Sequence, residues 1–173
     1  RNGAADNPNV SVTKIGDGKM LMVFVDDDTS RNNVNKRAVY YSIGDGTTWS
    51  EPELIDDDGT LDDYPNVYDL GDRLLISWSS AEKVFGEDAT VEDALKSLNI
   101  KAVFFDKQSE TFGQVEQLTK TTDEDYAADV LPRAAYDSST GRIILYYTKT
   151  EYDDLEKTTD IADAVSVTAY LFY

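Results

Sequence analysis

The chain has 173 residues with 16 basic and 34 acidic side chains, and its formal net charge of −18 argues against binding nucleic acid or an anionic membrane through charge. It contains no cysteine and no histidine, which excludes disulfides, thiolate or imidazole metal ligands, and catalytic centres built on a histidine base. The length suits one domain, and the content of 40% hydrophobic and 11% aromatic residues argues against disorder.

A four-part unit recurs along the chain. Each copy begins with a proline and a short alternating segment, and continues through a glycine-containing turn into two apolar runs and a short final strand. The copies cover residues 8–57, 65–121 and 132–173, and the third lacks its outer strand. Such turns join antiparallel strands. The pattern predicts an all-β fold of about three four-stranded antiparallel blades of a β-propeller, with a β-sandwich as the alternative.

The copies differ mainly in the link between the second and third strands. In the second copy this link covers residues 80–99 and contains Thr90, followed by Val91, Glu92 and Asp93. A threonine cap with acidic residues in the first turn is a helix start signal. The sequence therefore predicts one short helix in this link.

The last segment, residues 165–173, is strand-like, and the sequence stops inside it. A set of three blades also has open sheet edges, which invite pairing with another chain. We therefore expect the sequence to be a piece of a larger propeller domain. Either the remainder of the parent polypeptide or another copy of the chain would complete that domain.

Residues 42–49 read Ser-Ile-Gly-Asp-Gly-Thr-Thr-Trp. This stretch resembles the Asp-box, or bacterial neuraminidase repeat, of sialidase-type propellers, whose pattern is Ser-x-Asp-x-Gly-x-Thr-Trp. The aspartate position holds Gly44, while the matching positions are Ser42, Gly46, Thr48 and Trp49. The resemblance implies a structural β-hairpin in which hydroxyl groups bind turn amides and the aromatic ring fills the gap between sheets. It supports the fold and not catalysis.

The resemblance also raises the question of sialidase activity. A sialidase binds the sugar carboxylate with three arginines and uses a Tyr–Glu nucleophile with an aspartic acid. In this sequence only Arg133 lies where an inward arginine is expected. Links between the second and third strands and between units should emerge on one face, and they carry most of the acidic residues. An acidic face repels anionic substrates, so we do not expect this chain alone to be a sialidase.

Three carboxylates suggest chemistry on neutral sugars instead. Asp6, Asp63 and Asp129 each precede the proline of an inner strand by two or three residues. In some five-bladed glycosidases, carboxylates at such axial positions act as acid, base and pKa modulator. These aspartates and Arg133 are the catalytic candidates. The alternative is that the aspartates only cap loop turns.

Two further groups of residues are candidates for binding. Aspartates in the acidic links are oxygen ligands suited to Ca²⁺, the one cofactor that the sequence suggests, and surface turns are the alternative. The metal candidates are Asp26, Asp28, Asp56 and Asp58. Tyrosines beside these links are suited to stacking on sugar rings, and loop packing is the alternative. The ligand-binding candidates are Tyr64, Tyr126 and Tyr152.

Together these features predict an extracellular or surface module of a bacterium. We expect it to mediate carbohydrate or cell-surface interaction without catalysis, with no nucleic-acid partner and no insertion into a membrane. The alternative is part of an exo-acting glycoside hydrolase whose remaining blades bring an arginine cluster or paired axial carboxylates. A structural spacer, which predicts no ligand, is a third class.

Overall fold

The computed structural model describes residues 9–120, 127–151 and 166–172, which form three antiparallel sheets and one short helix. The first sheet, blade one, has its strands in chain order: β1 (Val10–Gly16), β2 (Lys19–Asp27), β3 (Arg37–Gly44) and β4 (Glu53–Leu54). Among the described residues, no helix is long and apolar enough to cross a membrane.

Blades two and three repeat this order. Blade two contains β5 (Asp62–Asp69), β6 (Arg73–Ala81), β7 (Leu98–Asp106), β8 (Thr111–Phe112) and β9 (Glu116–Gln117), and both short strands pair with β7. The helix α1 (Val91–Leu95) lies in the link between β6 and β7. Blade three contains β10 (Ala127–Asp137), β11 (Arg142–Glu151) and β12 (Ser166–Phe172).

The blades pack face to face through the alternating apolar residues of their second strands. Leu21 and Val23 of β2 share one buried cluster with Leu74, Ile76 and Trp78 of β6. On the other face of β6, Leu75 shares a second cluster with Ile143 and Leu145 of β11. The first strands also touch, since β5 contacts both β1 and β10. This arrangement confirms the predicted partial propeller, with β1, β5 and β10 as its inner strands.

Two of the inner strands, β5 and β10, begin earlier than their prolines suggested. β5 starts at Asp62 and β10 at Ala127, so the prolines lie within the strands. In β5 and β10, two residues lie opposite one residue of the neighbouring strand at the proline, which is a β-bulge. The residue before each proline, Tyr64 or Leu131, has a positive φ of 55° or 54°. Asp63 and Asp129, which were expected to precede the inner strands, therefore lie on them.

The helix forms where the sequence predicts it. The Thr90 hydroxyl accepts a hydrogen bond from the Asp93 amide at 3.2 Å, and Asp93 Oδ2 accepts one from the Thr90 amide at 2.8 Å. This reciprocal capping box satisfies two amide donors that a helix start otherwise leaves unpaired.

The stretch at 42–50 is a hairpin end, but the Thr47 and Thr48 turn amides bind the Asp45 carboxylate rather than the hydroxyl groups that the resemblance implied. Ser42 Oγ donates to the Ser50 carbonyl oxygen at 2.8 Å. Asp45 Oδ1 accepts from the amides of Thr47 and Thr48, both at 2.8 Å. Asp45 thus binds the turn amides. It lies one residue after Gly44, which occupies the position of the motif's aspartate.

Gly44 is required at the position where the motif has aspartate. A Cβ atom on Gly44 would lie 2.2 Å from the Thr48 carbonyl oxygen and 2.7 Å from the Trp49 ring. The half-buried Trp49 therefore lies over Gly44. Phe112 fills the gap between blades one and two instead, because its ring lies 4.7 Å from Tyr41 and 4.9 Å from Phe105. Gly46, at a φ of 88°, supplies the turn.

Candidate functional site

A cavity of about 170 Å³ opens where the three inner strands meet, and we call it the axial pocket. Residues of all three blades line it, including both bulge residues with positive φ. The lining is Asn9, Val10, Ser11, Tyr64, Pro65, Asn66, Leu131 and Arg133.

The repeat places equivalent residues around this pocket. Asn9, Asn66 and Arg133 each follow the proline that opens a unit, and all three line the cavity. The sequence patterns indicated Arg133 and Tyr64 but not the two asparagines. The signal that would have found them is their shared position directly after the repeated proline.

Among the described residues, the polar lining of the axial pocket is neutral except for one cation. These residues offer amide groups, the Ser11 hydroxyl, the Tyr64 ring and the Arg133 guanidinium, and no carboxylate. Arg133 Nη1 donates to the Pro132 carbonyl oxygen at 3.0 Å, which holds the guanidinium against its own strand. Such a set of convergent donors and acceptors around an aromatic ring suits a polyhydroxylated ligand.

Asp63 lies behind the axial pocket. Its Oδ1 accepts from the Tyr64 amide at 2.8 Å and from Arg37 Nη2 at 3.1 Å. Burial raises the pKa of Asp63, although the charge of Arg37 opposes that rise. Burial also raises the pKa of Tyr64, and the Asp63 charge adds to it. The buried Asp63 carboxylate thus holds the strained backbone of Tyr64 at the pocket wall and pairs with the partly exposed Arg37.

Asp62 and Asp129 are the equivalent carboxylates of blades two and three, since each lies three residues before its proline. Both are buried, and each has one oxygen without a hydrogen-bond partner in the described part of the chain. Asp62 Oδ1 accepts from Trp78 Nε1 at 2.9 Å. Burial raises the pKa of Asp62 to about 7. Burial also raises the pKa of Asp129, against the opposing effect of the Thr119 hydroxyl.

Two aspartates of the acidic link before β5 bind Lys101, a buried lysine of β7. Lys101 Nζ donates to Asp56 Oδ2 at 2.8 Å and also to Asp58 Oδ2. Asp58 Oδ1 accepts from the Thr60 amide at 2.9 Å. Although burial opposes it, the Lys101 ammonium and the Thr60 donors keep the pKa of Asp58 below its usual value. Asp56 and Asp58, the two metal candidates in this link, therefore neutralise the charge of Lys101.

The other two metal candidates stabilise the link between β2 and β3. Asp28 accepts from the Ser30 amide at 2.9 Å and pairs with Arg31 Nε at 3.1 Å. Asp26 Oδ1 accepts from the Asp27 amide at 2.9 Å. Within residues 9–120, 127–151 and 166–172, no group of three or more carboxylates is arranged to hold a metal ion. Ca²⁺ binding stays a prediction, and Asp6, Tyr126 and Tyr152 lie outside the described residues.

Comparison with solved structures places this fold among known propellers. The chain is similar to an α-L-arabinofuranosidase from Lactobacillus brevis, with a TM-score of 0.58, 10% identity, and coverage of 95% of this chain and 52% of that chain. It is also similar to the Penicillium chrysogenum α-L-arabinanase complexed with arabinobiose, with a TM-score of 0.53, 12% identity, and coverage of 98% and 53%. No protein-family model and no curated protein matches the sequence.

A third similar structure is the α-L-arabinofuranosidase Arb93A from Fusarium graminearum, with a TM-score of 0.51, 14% identity, and coverage of 85% of this chain and 43% of that chain. The fold is therefore that of propeller blades, and the neighbours are propeller glycoside hydrolases. The chain spans about half the length of the structures it matches. At these identities the likeness establishes the fold alone.

Proposed function

We propose that this chain forms the sugar-binding part of a glycoside-hydrolase-type propeller, with a neutral saccharide in the axial pocket. The observation that carries the proposal is the convergence of equivalent polar residues from three inner strands, Asn9, Asn66 and Arg133, on one cavity beside Tyr64. Amide groups and a guanidinium match sugar hydroxyls, and a tyrosine ring matches the apolar face of a sugar. An extracellular, bacterial location goes with this proposal.

Charge favours neutral over anionic sugars. Arg133 is the one arginine among the described residues that line the axial pocket, whereas binding of a sugar carboxylate in a sialidase uses three. The chain as a whole carries a net charge of −18, which repels anions at long range. The similar structures include arabinofuranosidases and an arabinanase with arabinobiose, which makes arabinose-containing saccharides the first class to test.

We assign binding and not hydrolysis to this chain alone. Asp62, Asp63 and Asp129 are buried, and none of them lines the axial pocket. Glycoside hydrolysis uses two carboxyl groups placed on either side of the scissile bond. In this proposal the blades that complete the propeller, either from a longer parent polypeptide or from another copy of the chain, supply those groups.

Calorimetric titration with arabinobiose tests the proposal, with sialyllactose as the anionic comparison. Arg133→Ala should weaken arabinobiose binding about tenfold, since it removes charge-assisted hydrogen bonds to sugar hydroxyls. The matched control is Arg142→Ala, because Arg142 is exposed at the start of β11 and does not line the pocket. Folding of both variants is checked by circular dichroism.

The outcomes separate the function classes. Binding of arabinobiose that depends on Arg133 supports a neutral-sugar site. Preference for sialyllactose would overturn the assignment to neutral sugars, and the absence of binding to either sugar would favour a structural spacer. Release of arabinose by the chain alone, followed by chromatography, would show that the carboxylates of this chain suffice for catalysis.

A further inference from the structure

The second strands of the three blades are equivalent residue by residue. β2, β6 and β11 each begin with a basic residue after a glycine-containing turn. In β6 and β11, the first, third and fifth positions after it face the preceding blade. In blade two these positions are Leu74, Ile76 and Trp78, which pack against blade one. In blade three they are Ile143, Leu145 and Tyr147, which pack against blade two.

Blade one has apolar residues at the same positions with no blade against them in the described structure. Met20, Met22 and Phe24 are half-buried where their equivalents in the other blades are buried. Val10 and Val12 pair with Phe24 and Met22 on the same side of the sheet and are 49% and 50% exposed. We call these five residues the leading face.

Blade three presents the complementary side. Ile144 and Tyr146 of β11 are 40% and 39% exposed, and we call them the trailing face. Their equivalents in blade one, Leu21 and Val23, are buried against blade two. One chain therefore carries both halves of an inter-blade interface, at opposite ends of its row of blades.

We propose that the leading face of one molecule binds the trailing face of a second copy. Continuity with the two inter-blade interfaces inside the chain carries this assignment, because the open positions are those that bury apolar side chains in both. The residues of the two faces are uncharged, so the contact does not bring acidic side chains together. The contact joins two different faces and is therefore heterologous. The rotation that relates neighbouring molecules decides whether they close into a ring or continue as an open row.

Light scattering after size exclusion tests the contact over a range of chain concentrations. The wild-type chain should show a mass above the monomer value of 19.3 kDa that rises with concentration. Val12→Lys should weaken association at least tenfold, because it places a charge in the apolar contact. Val84→Lys is the matched control, since Val84 is an exposed valine, at 56%, in the link between β6 and β7. Tyr146→Lys should act like Val12→Lys.

Mixing the two interface variants gives the decisive result. Val12→Lys retains an intact trailing face and Tyr146→Lys retains an intact leading face, so the mixture should form a one-to-one heterodimer while each variant alone stays monomeric. A wild-type monomer at all concentrations would overturn the proposal. Association unchanged by both substitutions, or lost without recovery on mixing, would also overturn it. Thermal unfolding shows that each variant is folded.

Discussion

The indole Nε1 of Trp78 donates a hydrogen bond to Asp62 Oδ1 at 2.9 Å, and both side chains are fully buried. Asp62 starts the inner strand of blade two, and Trp78 lies on the neighbouring strand. Burial raises the pKa of Asp62 to about 7, although the Ser80 hydroxyl and the Lys101 charge oppose it. The core of the protein thus contains a carboxyl group that changes its charge near neutral pH.

Asp62→Asn should remove a pH dependence of stability. Between the unfolded pKa of 3.8 and the folded pKa of about 7, the native state retains a proton that the unfolded chain has released. The free energy of unfolding therefore falls as pH rises through this interval and levels off above it. The contribution of Asp62 is at most on the order of 4 kcal/mol. Urea unfolding from pH 4 to pH 8 measures it, and the variant should show a flatter profile.

Exposed Asp72→Asn serves as the control for this experiment and should leave the profile unchanged. A Trp49→Phe background leaves Trp78 as the sole tryptophan, so its fluorescence should follow the ionisation of Asp62. An Asp62→Asn profile as steep as that of the wild type would show that other groups cause the slope.

Lys101→Met should destabilise the protein by about 3 kcal/mol at pH 7, because it leaves Asp56 and Asp58 without their buried cation. Lys96→Met is the matched control, since the Lys96–Glu92 pair on the helix is exposed and should contribute about 0.5 kcal/mol or less. Chemical denaturation of both variants gives the comparison. Equal effects would mean that the buried pairs contribute no more than the surface pair.

Gly44→Ala should destabilise the protein by about 2 kcal/mol or more, since its Cβ meets the Thr48 carbonyl oxygen and the Trp49 ring. Gly86→Ala has open space around its Cβ and an ordinary backbone conformation, so it should be close to neutral. Thermal unfolding of the two variants compares them directly. A neutral Gly44→Ala would show that the hairpin relaxes freely around Trp49.

The repeat could be predicted from the sequence because glycine-containing turns and apolar runs are local signals. They located the second and third strands of each blade and the short helix with its Thr90 cap. The starts of β5 and β10 could not be predicted. In both strands a non-glycine residue with positive φ precedes the proline, and this rare backbone conformation has no recognisable local sequence pattern. The sequence pattern consequently did not predict the burial of Asp62 against Trp78.

The candidate site was only partly predictable for a related reason. Tyr64 and Arg133 were identified from their positions, but Asn9 and Asn66 carry no chemistry that marks them in isolation. Only the packing of three inner strands brings them to one cavity. Likewise, nothing in the sequence near Asp56 and Asp58 reveals that Lys101, more than 40 residues away, binds both.

The bulges at Tyr64 and Leu131 also bear on how the blades tolerate changes in length. Loss of one residue from an ordinary strand turns every side chain beyond it to the opposite face. At a bulge, two residues already oppose one, so loss of Tyr64 or Leu131 restores regular pairing and leaves the flanking residues facing as before. The inner strands therefore contain a position where repeats can diverge by one residue without exposing the buried Asp62 or Asp129.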